Sequence, residues 1–326
     1  IYLMCERGEP LSTRIDRFGL RLPLMAAPMS IASNVALVAA CSRAGIIGCF
    51  PTHNAARAGG LASWIDQIET ARHQHADRGG DPAPFAVNIS VSRHKPPETL
   101  AEELAACRAA RLPLITTNAG NPAELVKQVH DWGGRVIHDA TTVEQAEKAV
   151  AAGVDGLMLV CAGAGGLGGL LSPFAFVPRV RRFFDGIIQL AGGVASGEGI
   201  AAAELLGADM VCMGTRFIAT QESGVAPGHK QMLADAALSD VLWTDAICGI
   251  PANFLKPSIA ANQLDPDHLP PLSPTGRPTL PDHVKPWSMV WSGGHSAALI
   301  DSVPTVAALV DELEQDYLAA RNRWTK

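Results

Sequence analysis

One phrase occurs twice in this chain and restricts its fold more than any other feature. Residues 149–160 read AVAAGVDGLMLV and residues 203–214 read AELLGADMVCMG: a helix tail, a glycine, a small residue, an aspartate, then an apolar run. Glycine ends a helix well because it accepts the left-handed conformation. An apolar run without polar alternation is a strand covered on both faces, as in parallel sheet. Such runs recur at 22–28, 46–51, 85–91, 113–118, 135–139, 156–161, 187–192 and 210–215. Helical stretches separate them at 34–44, 61–75, 97–110, 122–132, 142–152, 173–184 and 197–206. About eight βα units predict an α/β fold closed on itself, a (β/α)8 TIM barrel. No GxGxxG follows the first strand, which counts against a dinucleotide-binding doubly wound sheet.

The rhythm divides the chain into 1–220, the barrel; 221–290, a helical and Pro-rich excursion near the barrel mouth; and 291–326, a segment returning to the barrel. Residues 228–240 read as helix. Residues 250–287 are rich in Pro, Asp and His and read as an extended excursion over the mouth. VPTVAALVDELEQDYLAARNRW (303–324) is an amphipathic helix, which can close the barrel or pack on a partner chain in a homo-oligomer.

Composition removes several function classes. With 326 residues and 48% apolar content the chain can bury a large core. Its net charge is −6 with no basic run, which argues against nucleic acid. Residues 156–178 carry no charge, but Gly163, Gly165, Gly166, Gly168 and Gly169 interrupt them and Ser172–Pro173 reads as a helix start. Strand, glycine loop and helix are therefore expected there, not a membrane span. The N-terminal charges Glu6, Arg7, Glu9, Arg14, Asp16 and Arg17 do not read as a secretory leader. The seven cysteines (Cys5, Cys41, Cys49, Cys107, Cys161, Cys212, Cys248) form no CxxC pair and suit a reduced, cytoplasmic protein. His73 and His75 lie two apart on a helix and do not share a face, so no metal site is expected.

Residues 187–220 carry the chemistry. Two apolar strands end in small-residue corners, Gly192–Gly193 and Gly214–Thr215, with a helix beginning near Ser196. Backbone N–H groups at such corners approach a phosphate closely, and in a (β/α)8 barrel the loops after strands seven and eight form this kind of site. The plain alternative is two βα turns with glycine for packing. Ala27-Pro28-Met29 ends the first strand, where small residues and a proline let main chain lie flat on a planar ring. Asn88 ends the third strand, where an amide can read a ring edge or shape a turn. In TTNAGNP (116–122), an Asn121 cap before Pro122 accounts for part of the polar cluster. His138 reads as a hydrogen-bonded core histidine, with Asp139 at the end of its strand. His53, His94 and His130 read as loop or helix-surface residues.

PLMAAPMS (23–30), FAVNIS (85–90), VIHDATTVEQAEKAVAAGVDGLML (136–159), CAGAGGLGG (161–169), AGGVASGEG (191–199), MGTRFIAT (213–220) and WSGGHSAALI (291–300) together resemble the nitronate monooxygenase family, flavin barrels that bind FMN without a metal. The resemblance implies that Ala191, Gly192, Gly193, Gly214 and Thr215 hold the FMN phosphate. It implies that Ala27, Pro28, Met29 and Asn88 lie against the isoalloxazine, and that Gly293 and Gly294 approach the cofactor. Two departures stand out. Family members that act on neutral nitroalkanes carry a histidine base where this chain has Leu167, and the glutamine that often follows the first strand is Ala26. His295, where the family often shows glutamine, becomes the candidate catalytic residue; the plain reading is a packing histidine. The resemblance implies an FMN-dependent oxidoreductase that oxidises small alkyl nitronates with O2. The alternatives are an NAD(P)H-using FMN reductase of an enoyl thioester or quinone, and a flavin-binding barrel whose chemistry has shifted or lapsed.

Overall fold

The structure, a computed structural model, describes residues 14–324. Cys5 and the charges at Glu6, Arg7 and Glu9 lie outside the described residues. Eight parallel strands close into a barrel: β1 (Leu24–Ala26), β2 (Ile47–Pro51), β3 (Phe85–Ser90), β4 (Leu114–Asn118), β5 (Arg135–Ala140), β6 (Gly156–Val160), β8 (Ile187–Ala191) and β9 (Met210–Met213). Closure is direct, since Leu24 registers with Val211 and Ala26 with Met213. Helices α1 (Val35–Arg43), α2 (Thr52–Ala56), α3 (Leu61–Ala76), α4 (Pro97–Ala109), α5 (Ala123–Asp131), α6 (Val143–Ala151), α7 (Pro173–Arg181) and α8 (Gly197–Leu206) come after the strands in turn. The sequence reading of a TIM barrel holds, with most strands one to four residues shorter than the apolar runs and β5 one residue longer.

Each strand buries both faces. Met25, Ile47, Ala86, Leu114, Ile137, Met158, Ile187 and Met210 fill the barrel interior. Leu24, Phe50, Phe85, Val136, Leu157 and Ile188 pack outward against the helices. That double burial is why the strands read as continuous apolar runs.

The repeated aspartate has a structural reason. Asp155 and Asp209 stand at the N-terminal ends of β6 and β9, and each bonds sideways to the neighbouring strand. The Asp155 backbone N–H donates to Val136 O, and its Oδ2 accepts the Val136 N–H at 2.8 Å. Asp209 repeats both bonds with Ile188, its Oδ2 accepting that N–H at 2.7 Å. Each carboxylate also holds arginines: Arg135 on Asp155, and Arg181 and Arg14 on Asp209.

Residues 156–178 form β6, a glycine loop containing the short strand β7 (Gly166–Leu167), and the start of α7. Among the described residues no helix is long and apolar enough to cross a membrane. After β9 come α9 (Thr215–Ile218), α10 (Pro227–Asp235), β10 (Val241–Thr244), β11 (Ala252–Leu255), α11 (Lys256–Ala261) and α12 (Val306–Trp324). The helix expected over 228–240 ends at Asp235. The excursion expected to be extended from 250 contains β11 and α11. β11 pairs antiparallel with β10 and with β7, so a three-stranded sheet joins the excursion to the glycine loop. The missed pairing is long-range: Asn253 registers with Gly166, and nothing local to either announces the other. α12 packs on the barrel's own helices α8 and α1. Tyr317 donates to Glu204 Oε1 at 2.7 Å, and a Cβ on Gly197 would stand 2.2 Å from the Tyr317 nitrogen, so the two helices touch backbone to backbone.

Candidate active site

A cavity of about 1330 Å³ opens at the C-terminal ends of the strands. It gathers Ala27, Pro28 and Met29 after β1, Asn88 on β3, Ala191, Gly192 and Gly193 after β8, and Gly214 and Thr215 after β9. Residues far apart in the chain share one wall because parallel strands all deliver their C-terminal ends to the same rim.

The Ala27–Met29 turn is tied down from below. Ser33 Oγ donates to Ala27 O and accepts the Met29 N–H, both at 3.0 Å, and Asn54 Nδ2 donates to Met29 O at 3.0 Å. At the β8 corner Gly192 has φ +115°, and a Cβ there would stand 2.9 Å from Cys161 O and 3.1 Å from Ala164 N. Gly193 follows at φ +74° with open space where its Cβ would be. Both glycines hold a positive φ, and the first is also closed in by packing. At the β9 corner Thr215 Oγ1 accepts the Gly294 N–H at 3.0 Å, and its own hydroxyl hydrogen has no acceptor among the described residues.

A polar arc crosses the opposite wall. Asn88 Nδ2 donates to Thr116 Oγ1 at 3.0 Å, and Asn118 Nδ2 reaches Asn88 Oδ1 at 3.4 Å. Two buried oxygens are left without a partner here, Asn118 Oδ1 and Asp139 Oδ1. Asp139 ends β5 facing the cavity, with the thiols of Cys49 and Cys212 as neighbours inside the barrel. Burial alone, with no compensating cation, pushes its carboxyl up to about 7. Burial likewise holds Cys49 and Cys212 as thiols. Asp139 and Lys148 are the only acidic or Lys/Arg side chains among the described residues of the cavity wall.

His138, His53, His94 and His130 fall as expected, and two of them also reach the cavity. His138 is buried and its Nδ1 pairs with Thr117 Oγ1 at 2.7 Å; burial lowers it to about 4, so it is neutral. It reaches the cavity wall as well as being a bonded core residue. His53, expected at the surface, also lines the cavity, with its Nε2 2.8 Å from Ser30 Oγ. His229 stacks on Trp291 at 5.1 Å, and its Nε2 lies 2.9 Å from Ser292 O.

Three residues expected near the cofactor are not on the cavity lining itself, although Ser292 and Ser296 on either side of them are. His295 does not line the cavity: its ring is exposed and packs beside Gly163, whose Cβ would stand 2.8 Å from the His295 Nδ1. Gly293 and Gly294 also stand behind the wall. They back the 163–169 loop, where a Cβ on Gly294 would fall 2.3 Å from Gly163 O, and the Gly294 N–H is engaged by Thr215. The reason is shared. The returning segment serves as a brace, with Ser292 Oγ accepting the Gly166 N–H at 2.6 Å and Asn253 Nδ2 on β11 donating to Ala164 O at 2.7 Å. Leu167 does face the cavity and is 55% exposed. Trp243 and Trp287, which no local pattern singles out, close the wall beside it. Among the described residues no cluster of three His, Cys, Asp or Glu side chains could hold a metal ion.

Comparison with known proteins gives these landmarks a context. The family model described as nitronate monooxygenase matches residues 12–316. A nitronate monooxygenase of Paraburkholderia phytofirmans is 30% identical over 227 residues, covering 62% of this chain and 60% of that protein. A (3aS,4S,5R,7aS)-5-hydroxy-7a-methyl-1-oxo-octahydro-1H-indene-4-carboxyl-CoA dehydrogenase of Rhodococcus jostii is 30% identical over 174 residues, covering 53% of this chain and 48% of that protein. The chain thus spans about half to three fifths of the length of these two relatives. Among solved structures, FabK from Thermotoga maritima superimposes with a TM-score of 0.74 at 25% identity, covering 95% of this chain and 97% of that one.

Proposed function

Since the chain belongs to the nitronate monooxygenase family, we propose that it is an FMN-dependent oxidoreductase that oxidises alkyl nitronates with O2. The observation that carries this reading is Leu167. The position that the family resemblance assigns to a histidine base faces the cavity with a side chain that cannot move a proton. A substrate that arrives already deprotonated needs no such base.

Ala191, Gly192, Gly193, Gly214 and Thr215 would hold the FMN phosphate, and Ala27, Pro28, Met29 and Asn88 would lie against its ring. The residues present fit that group. The β8 corner admits no side chain at Gly192, Gly193 opens onto free space, and the Thr215 hydroxyl keeps a hydrogen to donate. Bound FMN supplies the electron acceptor and the route to O2. The chain's own residues orient the anion. Asp139, neutral below about pH 7, donates a hydrogen bond to a nitronate oxygen, and above that pH its charge repels the same oxygen. The Asn118 amide lies beside it on β4. The six described cysteines are free thiols, in keeping with a cytoplasmic setting.

A visible spectrum of the purified protein tests the cofactor. Anaerobic addition of ethyl nitronate should then bleach the flavin, while nitroethane at the same pH should leave it oxidised. Comparable turnover of both forms would contradict the split. The second reading, an NAD(P)H-dependent reductase of an enoyl thioester or quinone, draws support from the carboxyl-CoA dehydrogenase among the relatives. Rapid anaerobic bleaching by NADH, with none by nitronate, would favour it.

A further inference from the structure

The cavity wall carries a polar set and an apolar set of side chains. Asn118 and Asp139 present unpartnered oxygens on β4 and β5. The glycine loop and the excursion add large apolar side chains that are left partly exposed. Leu167 is 55% exposed, Leu170 73% and Ile250 56%, and all three line the cavity beside Leu171, Trp243 and Trp287. Single apolar residues at a surface need no explanation, but a set converging on one cavity does. Long-range contacts bring this set together. β7 pairs with β11 through Leu167 and Ala252, the Trp243 ring lies 3.2 Å from where a Gly168 Cβ would stand, and Trp287 covers Gly166. Among the described residues the wall carries only two lysine, arginine or carboxylate side chains, Asp139 and Lys148.

We propose that this apolar set is the subsite for a long hydrocarbon tail, so that the substrate is an amphipathic molecule with a planar anionic head near Asp139 and a tail lying along Leu167, Leu170 and Ile250. This rests on the nitronate reading for the head and adds the tail attached to it: a long-chain alkyl nitronate in preference to a small one. Leu167 then contributes tail-binding surface at the position where a base is missing. The volume agrees, because about 1330 Å³ exceeds what the whole flavin mononucleotide and a two- or three-carbon substrate fill. The tail is the occupant chosen over a second copy of the chain because the apolar side chains continue the cavity wall itself.

Straight-chain carboxylates, from acetate to decanoate, are unreactive planar anions with the same two-oxygen head. Calorimetric titration of the flavin-loaded protein with this series should show the dissociation constant falling about fourfold for each methylene that leaves water. In the triple variant Leu167→Ser, Leu170→Ser, Ile250→Ser that dependence on chain length should largely disappear. These side chains are more than half exposed, so the fold should tolerate the change, and Leu170→Ser alone provides a milder version with a partial loss of slope. A wild-type series with no dependence on chain length overturns the proposal. So does a dependence that survives unchanged in the triple variant. So does an unchanged dependence accompanied by a smaller assembly in light scattering, which would assign the leucines to an interface between copies. The nitronate reading fails separately: a steep series in a protein that does not oxidise ethyl nitronate upholds the tail site, whereas a flat series in one that does upholds only the reaction.

Discussion

The two ends of the barrel treat a buried carboxylate in opposite ways. At the N-terminal end Asp155 and Asp209, with side chains 8% and 3% exposed, each accept a neighbouring strand's N–H and each hold arginine. At the C-terminal end Asp139 keeps a buried oxygen with no partner, and burial raises it to about 7. Compensated charge pins strands together. Uncompensated charge is costly, and it persists where a ligand is meant to complete the set. The same residue type at opposite ends of parallel strands therefore marks a structural face and a binding face.

The contrast breaks most readily at Asp209. Replacing it with alanine should cost about 3–5 kcal/mol, because Arg181 and the Ile188 N–H lose their acceptor together. Urea denaturation measures this, and a loss under about 1 kcal/mol would mean the N-terminal carboxylates are not pins.

Asp139→Asn should shift stability the other way. The folded carboxyl titrates near 7 and the unfolded one near its ordinary 3.8, so the native state binds the extra proton between them. Wild-type stability should therefore fall as pH rises from about 4 to 7 and level off above. The asparagine variant should match the wild type near pH 4 and exceed it near pH 8 by about 2 kcal/mol, after a discount for solvent in the cavity. Thermal melts across that range decide it, and parallel pH curves for the two proteins would remove Asp139 from the contrast.

The glycine corner sharpens the binding side. Gly192→Ala forces backbone apart at Cys161 O and should weaken FMN binding about tenfold, a loss of about 1.4 kcal/mol. Gly193→Ala meets open space and should cost only the positive-φ strain, about 1 kcal/mol. Flavin titration of both variants gives the order, and an equal loss would refute the assignment of close packing to Gly192 alone. The smallest expected change in stability is Leu167→His, within about 0.5 kcal/mol because the site is exposed. Its kinetic effect is the useful one: turnover of neutral nitroethane should appear where the wild type shows little.

Much of the binding face was legible because it is built from backbone. Gly192–Gly193 and Gly214–Thr215 announce themselves locally, since a strand end needing close approach or a positive φ selects small residues in sequence order. Asn88 and Asp139 could be placed at strand ends by periodicity alone. Their condition could not, because whether Asp139 meets an arginine or an apolar wall depends on neighbours supplied by β2, β4 and β9. The placement of His295 depends on distant segments for the same reason. Its motif lies in a segment that returns to the barrel, and the Gly163–Gly294 contact sets its exposed ring beside Gly163, next to the lining residues Ser292 and Ser296.

The amino-acid order by itself determined the barrel, its strand sequence and the end at which the cavity opens. Doubly buried strands, helix caps and glycine stops are properties of a few adjacent residues. Only the tertiary structure decided that β11 joins β7 and that α12 packs on α8 and α1. It alone decided that Asp139 is left without an ion pair and that the mouth is rimmed with leucine and tryptophan. Those outcomes depend on contacts between segments tens to hundreds of residues apart. Their energy comes from shared burial, which no local pattern of one segment encodes.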